Sequence, residues 1–283
     1  MDLTRRELIA AASVLAVARG AAAQKPAGGA AGGRLKQSVC RWCYQNIPLR
    51  DFCRGVAEMG LTAIDLLTPE EWPVAKEFGL ICSMGSGLGG PIDQGINDPA
   101  NHEKIVTSLT QGIPLAAKAG VPNVITFFGN RRGRSDADAI ANCVSALNRV
   151  KRVAEDHGVT VCVELLNSKV NHKDYQGDRT PFGVAVVSQV NSPRVKLLYD
   201  IYHMQIMEGD VIRTIRDNQQ WIAHYHTGGV PGRNEIDTSQ ELYYPAIARA
   251  IADIGFDGYF AHEFIPKREP LVSLREAVTL CQV

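Results

Sequence analysis

Beyond residue 36 the chain alternates short apolar, β-rich runs with longer stretches whose apolar residues recur at helical spacing, the arrangement expected of βα units on a parallel sheet. Strands are predicted at 38–44, 63–67, 80–84, 123–128, 160–165, 195–199, 222–226 and 259–263. Helices are predicted between them at 49–59, 70–78, 101–119, 136–156, 182–190, 207–218 and 244–254, with a last one from residue 271. Local punctuation agrees with this division. Thr68, Pro69, Glu70 and Glu71 supply an N-cap, a first-turn proline and early acids, and Gly60, Gly79, Gly120, Gly158 and Gly255 each stand where a left-handed residue closes a helix. Eight such units predict a single α/β domain over residues 37–283, a closed (β/α)8 TIM barrel, because barrels of this kind run to about 250 residues. Its chemistry is then expected at the carboxyl ends of the strands.

The N-terminal residues follow another pattern. Residues 1–23 (MDLTRRELIAAASVLAVARGAAA) place Arg5 and Arg6 before an apolar run and end in small residues, which reads as a twin-arginine export signal and predicts a periplasmic or exported protein. The apolar run is shorter than the ~20 residues that cross a bilayer, and no later stretch is long enough, so no membrane span is expected. Residues 24–36, rich in Gly and Ala, are predicted to be a flexible linker.

Composition narrows the function classes. With 45% hydrophobic and 21% charged residues, the 283-residue chain is globular rather than disordered or a membrane bundle. Thirty Lys and Arg balance thirty Asp and Glu, so no overall positive field favours nucleic acid as a partner. Seven cysteines cannot all pair, and most are expected to be small core residues. Cys40 and Cys43 have CxxC spacing but fall in a predicted strand rather than at a helix N-terminus, so redox chemistry is not expected of them. The GxGxxG match at 85–90 is followed by Pro91 rather than by a helix, and is read as a flexible barrel-top loop instead of a dinucleotide site.

Polar residues gather at the ends of the last four predicted strands: Glu164, Asp200, His226 and Glu263. Any one of them could be a solvated acid or a satisfied histidine. Three inward carboxylates and an imidazole on consecutive strands repel one another unless a cation holds them, and an oxygen-rich set with one nitrogen suits Mg2+, Mn2+ or Co2+. His224, two residues from His226, points the same way and is a candidate partner to it, whereas His262 points away and is expected to be structural. His203 is expected to contact a substrate oxygen or relay a proton. The basic loop 130–134 could bind an anion or be solvated, and the polar segment 167–179 could cover bound substrate or be a plain loop.

These residues resemble the hydroxypyruvate isomerase branch of the xylose isomerase-like TIM barrels, a sugar isomerase/epimerase superfamily. The resemblance runs from about Ser38 to the C-terminus, carried by VELLN (163–167), YDIYHMQ (199–205), IAHYHTGGVPGRNE (222–235), ELYYP (241–245) and GYFAHEFIP (258–266). It implies that Glu164, Asp200, His226 and Glu263 bind a divalent metal and that Glu164 and Glu263 act as acid and base. It also implies substrate contacts from His203 and Arg233, with Asn167 and His224 in the same motifs added to that set. The implied reaction is isomerisation of hydroxypyruvate to tartronate semialdehyde through an enediolate, with Arg233 gripping the carboxylate unless it pairs with Glu235 instead. Where many hydroxypyruvate isomerases have His-x-Gln, this chain has His224-Tyr225-His226, closer to the ketose epimerases. Export also favours free sugars as substrates, so a ketose 3-epimerase or a lyase of 3-keto-glycosides is the second expectation. A non-catalytic periplasmic sugar-binding barrel is the third. The endonuclease branch of the same barrel is disfavoured by the neutral charge and the single four-ligand cluster. A small hydroxycarbonyl or sugar molecule is the expected partner, and a homo-oligomer is compatible with the sequence.

Overall fold

The computed structural model describes residues 33–283. The segment read as an export signal, 1–23, and most of that read as linker lie outside the described residues. The chain builds β1 (Lys36–Val39), α1 (Leu49–Glu58), β2 (Ala63–Leu67), α2 (Trp72–Glu77), β3 (Ile81–Gly89), α3 (Pro99–Ala119), β4 (Asn123–Phe127), α4 (Asp136–His157), β5 (Thr160–Leu165), α5 (Thr180–Val190) and β6 (Val195–Asp200). It continues with α6 (Ile201–Met207), α7 (Val211–Asn218), β7 (Ile222–Thr227), α8 (Tyr244–Asp253), β8 (Tyr259–His262) and α9 (Pro270–Leu280).

The eight strands form one parallel sheet in the order β1-β8-β7-β6-β5-β4-β3-β2. A parallel bridge between Cys40 and Asp65 brings the ends of β1 and β2 together, which is the barrel expected from the sequence. Alternation along each strand sorts its side chains between two cores. Val161, Val163 and Leu165 of β5 face the helices, while Cys162 joins Met84, Ile125 and Leu198 in a separate cluster inside the barrel. Glu164 stands two residues beyond Cys162 and Asp200 two beyond Leu198, so each carboxylate shares the inward face one layer nearer the carboxyl end.

Four expectations need correction. Leu35 packs in the core and Lys36 opens β1, so the barrel starts inside the segment read as linker. The first strand stops at Val39 and residues Arg41–Tyr44 turn in a short 3-10 helix, which places the CxxC pair at the strand end. The Gly-rich run is no loose loop: β3 continues through Ser86 to Gly89. Finally, the helix predicted at 207–218 begins later, as α7 at Val211, and α6 stands before it where no helix was predicted; the two are parted at Glu208-Gly209-Asp210, where Gly209 and Asp210 both take positive φ.

Candidate active site

Four successive strands deliver the predicted ligand set to one place. Glu164 is the penultimate residue of β5, Asp200 ends β6, His226 lies near the end of β7 and Glu263 follows β8. All four are buried, and one potential ligand atom from each lies within 4.8 Å of the others. His226 Nδ1 is 2.7 Å from Glu263 Oε2 and 3.3 Å from Glu164 Oε1. Asp200 divides its labour: Oδ1 caps α6 by accepting from the His203 backbone N–H at 3.0 Å, which leaves Oδ2 for the site.

The electrostatics of this cluster are compatible with a cation. Burial raises Glu164, and it raises Asp200 to about 8 despite the opposing pull of Arg233. Glu263 goes the other way: burial alone would raise it, but the Arg233 guanidinium and the His226 imidazole outweigh burial and hold it well down. Glu164 Oε1 and His226 Nδ1 are buried with no hydrogen-bond partner. Buried polar atoms are seldom left so, and these two unpartnered atoms, beside the carboxylates of Asp200 and Glu263, fit a hard divalent cation.

Below this layer stands a residue that the sequence reading missed. Asp65, buried in the middle of β2, accepts from Ser83 Oγ with Oδ1 and lies with Oδ2 2.9 Å from His226 Nε2, 3.2 Å from His224 Nε2 and 3.6 Å from Cys40 Sγ. The hydrogen on His226 Nε2 is thereby directed to a carboxylate, which frees Nδ1 to face the cluster, the arrangement that orients metal-binding histidines. Burial would raise Asp65, yet His224 and His226 outweigh it and hold the carboxyl far down. The backbone departs from regular pairing here: the β2–β3 register shifts on both sides of Asp65 and Leu66 takes φ 57°. A lone acid inside the apolar run AIDLL was the available signal. Cys40, Asp65 and His226 also lie close enough to share an ion, but hydrogen bonds account for their contacts.

His203 is fully buried on the first turn of α6. Its Nδ1 accepts from the Asn167 backbone N–H at 3.1 Å. A peptide N–H can only donate, so the ring proton resides on Nε2, which is buried without a hydrogen-bond partner, 3.6 Å from Asp200 Oδ2. Burial and the nearby Arg233 push the imidazole well below its ordinary value. His203 is thus a neutral donor with a fixed tautomer, suited to holding a substrate oxygen. The relay role fails because its second nitrogen is engaged.

Asn167 and His224 stand differently from the substrate contacts assigned to them. Asn167 is buried, and its Oδ1 accepts from the N–H groups of Val170 and Asn171 at 3.0 and 2.9 Å. It folds the segment 167–179 rather than meeting the cavity. His224 sits with Asp65 one layer beneath His226. The 167–179 segment is pinned further by Tyr175, whose hydroxyl donates to Glu164 O and accepts from Phe128 N, and from it His172 reaches the cavity.

Arg233 is 11% exposed at its side chain and lies between two aromatic faces, 5.2 Å from the Trp42 ring centre and 5.3 Å from that of Tyr202. One terminal nitrogen donates to Asp200 Oδ2 at 3.0 Å and to Glu263 Oε2 at 2.5 Å. Glu235 is not its partner, since it accepts from Lys267 N, Arg268 N and Ser273 Oγ. Trp42, the second residue that sequence reasoning missed, donates from Nε1 to Glu263 Oε1 at 2.6 Å. The cluster opens into a cavity of about 770 Å3 at the carboxyl end of the barrel, lined by Glu164, Glu263, Arg233, Trp42, Phe127 and His172 among others.

Other sequence signals resolve as structure. Arg131, Arg132 and Arg134 pair with Asp136, Asp93 and Asp98, so the basic loop is internally neutralised. His262, as expected, is structural, with Nε2 2.8 Å from Gln37 Oε1 and Nδ1 3.3 Å from Thr227 Oγ1. The Cys40 and Cys43 thiols are free and burial raises both well above the ordinary range. Among the described residues no helix is long and apolar enough to cross a membrane.

Comparison with known proteins agrees with this geometry. A human protein named "Putative hydroxypyruvate isomerase" is 25% identical over 238 residues, 82% of this chain and 80% of its own. A 2-oxo-tetronate isomerase of Pectobacterium atrosepticum is 23% identical over 237 residues, 79% of this chain and 89% of its own. Among solved structures, an AP endonuclease, family 2, from Brucella melitensis superposes with a TM-score of 0.75 at 22% identity, covering 85% of this chain and 97% of that one. A D-psicose 3-epimerase from Clostridium cellulolyticum H10 gives 0.69 at 20% identity, covering 87% and 96%. The IOLI protein, solved with a bound zinc atom, gives 0.68 at 16%, covering 87% and 95%. The family model described as xylose isomerase-like TIM barrel matches residues 56–280, and the chain belongs to that family.

Proposed function

We propose that this protein is a divalent-metal-dependent isomerase or epimerase that moves a proton at a carbon beside a carbonyl, working on a small uncharged hydroxycarbonyl compound. The observation that carries this reading is the convergence of four buried ligand atoms, one each from Glu164, Asp200, His226 and Glu263, two of which, Glu164 and Glu263, line the cavity. The names of the human and Pectobacterium relatives support isomerase chemistry, and that of the clostridial neighbour supports ketose epimerisation.

The residues divide the task as follows. A bound cation supplies positive charge beside the oxygens that become negative as the carbon loses its proton. Glu164 and Glu263, both facing the cavity, are the acid–base pair: one removes the proton and the other returns it. Trp42 and Arg233 hold the two oxygens of Glu263 in position. His203 donates from Nε2 to a substrate oxygen, and Asp65 fixes the His226 ring.

The expected hydroxypyruvate substrate relied on a free Arg233 fork for its carboxylate. One terminal nitrogen of that guanidinium is held by Asp200 and Glu263, so no free two-pronged fork remains, which favours the uncharged ketose. Metal-loaded protein in D2O, followed by NMR with hydroxypyruvate and a set of ketoses, tests the reading: label at the carbon beside the carbonyl is expected, with the ketoses preferred. Glu164→Gln and Glu263→Gln should each slow exchange by about 100-fold or more. Tight sugar binding without label would make the protein a binding barrel instead. Export through the twin-arginine pattern at residues 1–23 is part of the proposal, checked by whether an R5K/R6K variant of the full chain stays in the cytoplasm.

A further inference from the structure

The cavity is far larger than the proton transfer requires. Even if each heavy atom with its hydrogens were allowed the ~30 Å3 of a whole water molecule in the liquid, more than covalently bonded atoms take, a three-carbon acid would fill at most about 200 Å3, a ketohexose at most about 360 Å3 and two joined hexose rings at most about 700 Å3. The cavity holds about 770 Å3.

Its shape is as telling as its size. The reacting groups come from β5 to β8, whereas most of the rest of the lining, Leu166 and His172 after β5 apart, comes from the β1 to β4 side and carries none of the proposed acid–base groups. There the side chains of Trp42, Leu66, Ile92 and Phe127 offer apolar faces, the kind of surface on which the C–H face of a sugar ring packs. The Gly-rich run belongs to this wall. Gly89 lets β3 run so close to β4 that a Cβ there would stand 2.0 Å from Ile125 O, and the extended strand presents Ser86 and Gly87 to the cavity.

No arginine on this side offers a free two-pronged fork to an anion. The two terminal nitrogens of Arg41 donate to Tyr44 O at 2.5 Å and Ile47 O at 3.0 Å, and Arg233 is paired with carboxylates. Glu71 contributes a carboxylate with only one oxygen engaged, by Thr68 N. Neutral hydrogen-bonding groups, Gln45 and Thr68, complete the rim.

We propose that the β1–β4 half of the cavity is a binding site for an uncharged ring, so that the substrate is a keto sugar joined through a glycosidic oxygen to a second sugar ring. This deepens the uncharged hydroxycarbonyl reading and rests on it. The test uses metal-loaded protein and four ketose disaccharides whose second ring is attached at different positions of fructose: turanose, lactulose, leucrose and isomaltulose. Each is compared with D-fructose and hydroxypyruvate by calorimetric Kd and by deuterium exchange. At least one disaccharide should bind ten-fold or more tighter than D-fructose, and Ile92→Trp, which fills the second-ring space, should bring its Kd to that of D-fructose. D-fructose binding as tightly as every disaccharide, or hydroxypyruvate binding tightest, overturns the inference. Absence of exchange with every probe would remove the isomerase reading, while the order of Kd values would still decide the ring site.

Discussion

At the scale of single residues, the site is a stack of dependencies in which each reactive group is aimed by a neighbour. His226 depends on Asp65, a carboxylate that no strand-end argument could find because it lies in the middle of β2 and acts from beneath. Asp65→Asn keeps the shape but replaces an obligate acceptor with a group that can also donate, which loosens the His226 tautomer. Removing an outer partner of this type typically weakens metal affinity about 10- to 100-fold. Competition against a fluorescent chelator should register that loss, and unchanged affinity would mean that the His226 ring is held by packing alone. His203 makes a parallel case. Its Nδ1 is occupied by the Asn167 N–H, so substitution by Gln, which retains a donor, should preserve more of kcat than substitution by Leu. Loss of one such donor costs on the order of 100-fold.

At the scale of elements, the later strands were legible and the earlier ones less so, for a physical reason. In β5 to β8 an apolar run ends in an acid or imidazole, and a parity argument then puts that group inward beside its neighbours. In β3 the same rule fails, because a glycine-rich run has no side chains to alternate, and its extended conformation is set by close approach to β4. Trp42 was hidden by the short 3-10 turn after β1, whose residues read as strand because they are apolar and aromatic. Helix α6 was not legible because IYHMQIM is buried along most of its length and shows no polar face, whereas α7, beyond Glu208-Gly209-Asp210, buries only Val211 and Ile215 and is plainly amphipathic. The close passage at Gly89 yields a sharp expectation. Gly89→Ala must push a methyl group into the β4 backbone, and overpacking of this kind costs about 1–3 kcal/mol or more. For a domain of this size that corresponds to a fall in Tm of roughly 2–12 °C. Gly87→Ala makes the control for backbone strain, since its φ is +81° but nothing lies within 4 Å of the added atom. A Tm drop for Gly89→Ala no larger than that for Gly87→Ala would show that β3 shifts freely away from β4.

At the scale of the whole molecule, the buried cluster ties stability to metal and pH together. In metal-free protein, Asp200 and Glu164 are raised by burial, and His226 is raised because Glu263 and Asp65 outweigh the effect of its burial. Each then holds a proton in the folded state over a range where the unfolded chain has released it: the carboxyls from about pH 4 upward, the imidazole from about pH 6.5 upward. These three groups make the metal-free protein lose stability as pH rises, through about pH 8 for Asp200, whereas the lowered, neutral His203 and His262 act oppositely below about pH 6.5 and do so alike with and without metal. Glu263 has the opposite sign, but its contribution is fully developed above about pH 4.5 and is flat over this window. A divalent cation replaces those protons, so its binding tightens as pH rises and its stabilisation grows in the same direction. At a free concentration 1,000 times Kd, binding adds about 4 kcal/mol, or roughly 8–16 °C in Tm. Thermal melts with EDTA and with excess Mn2+ should accordingly diverge between pH 5 and 8. Asp200→Asn removes one titrating carboxyl, so it should flatten the EDTA series while shrinking the Mn2+ gain. Parallel EDTA and Mn2+ curves across that range would mean that the four side chains grip no cation in common.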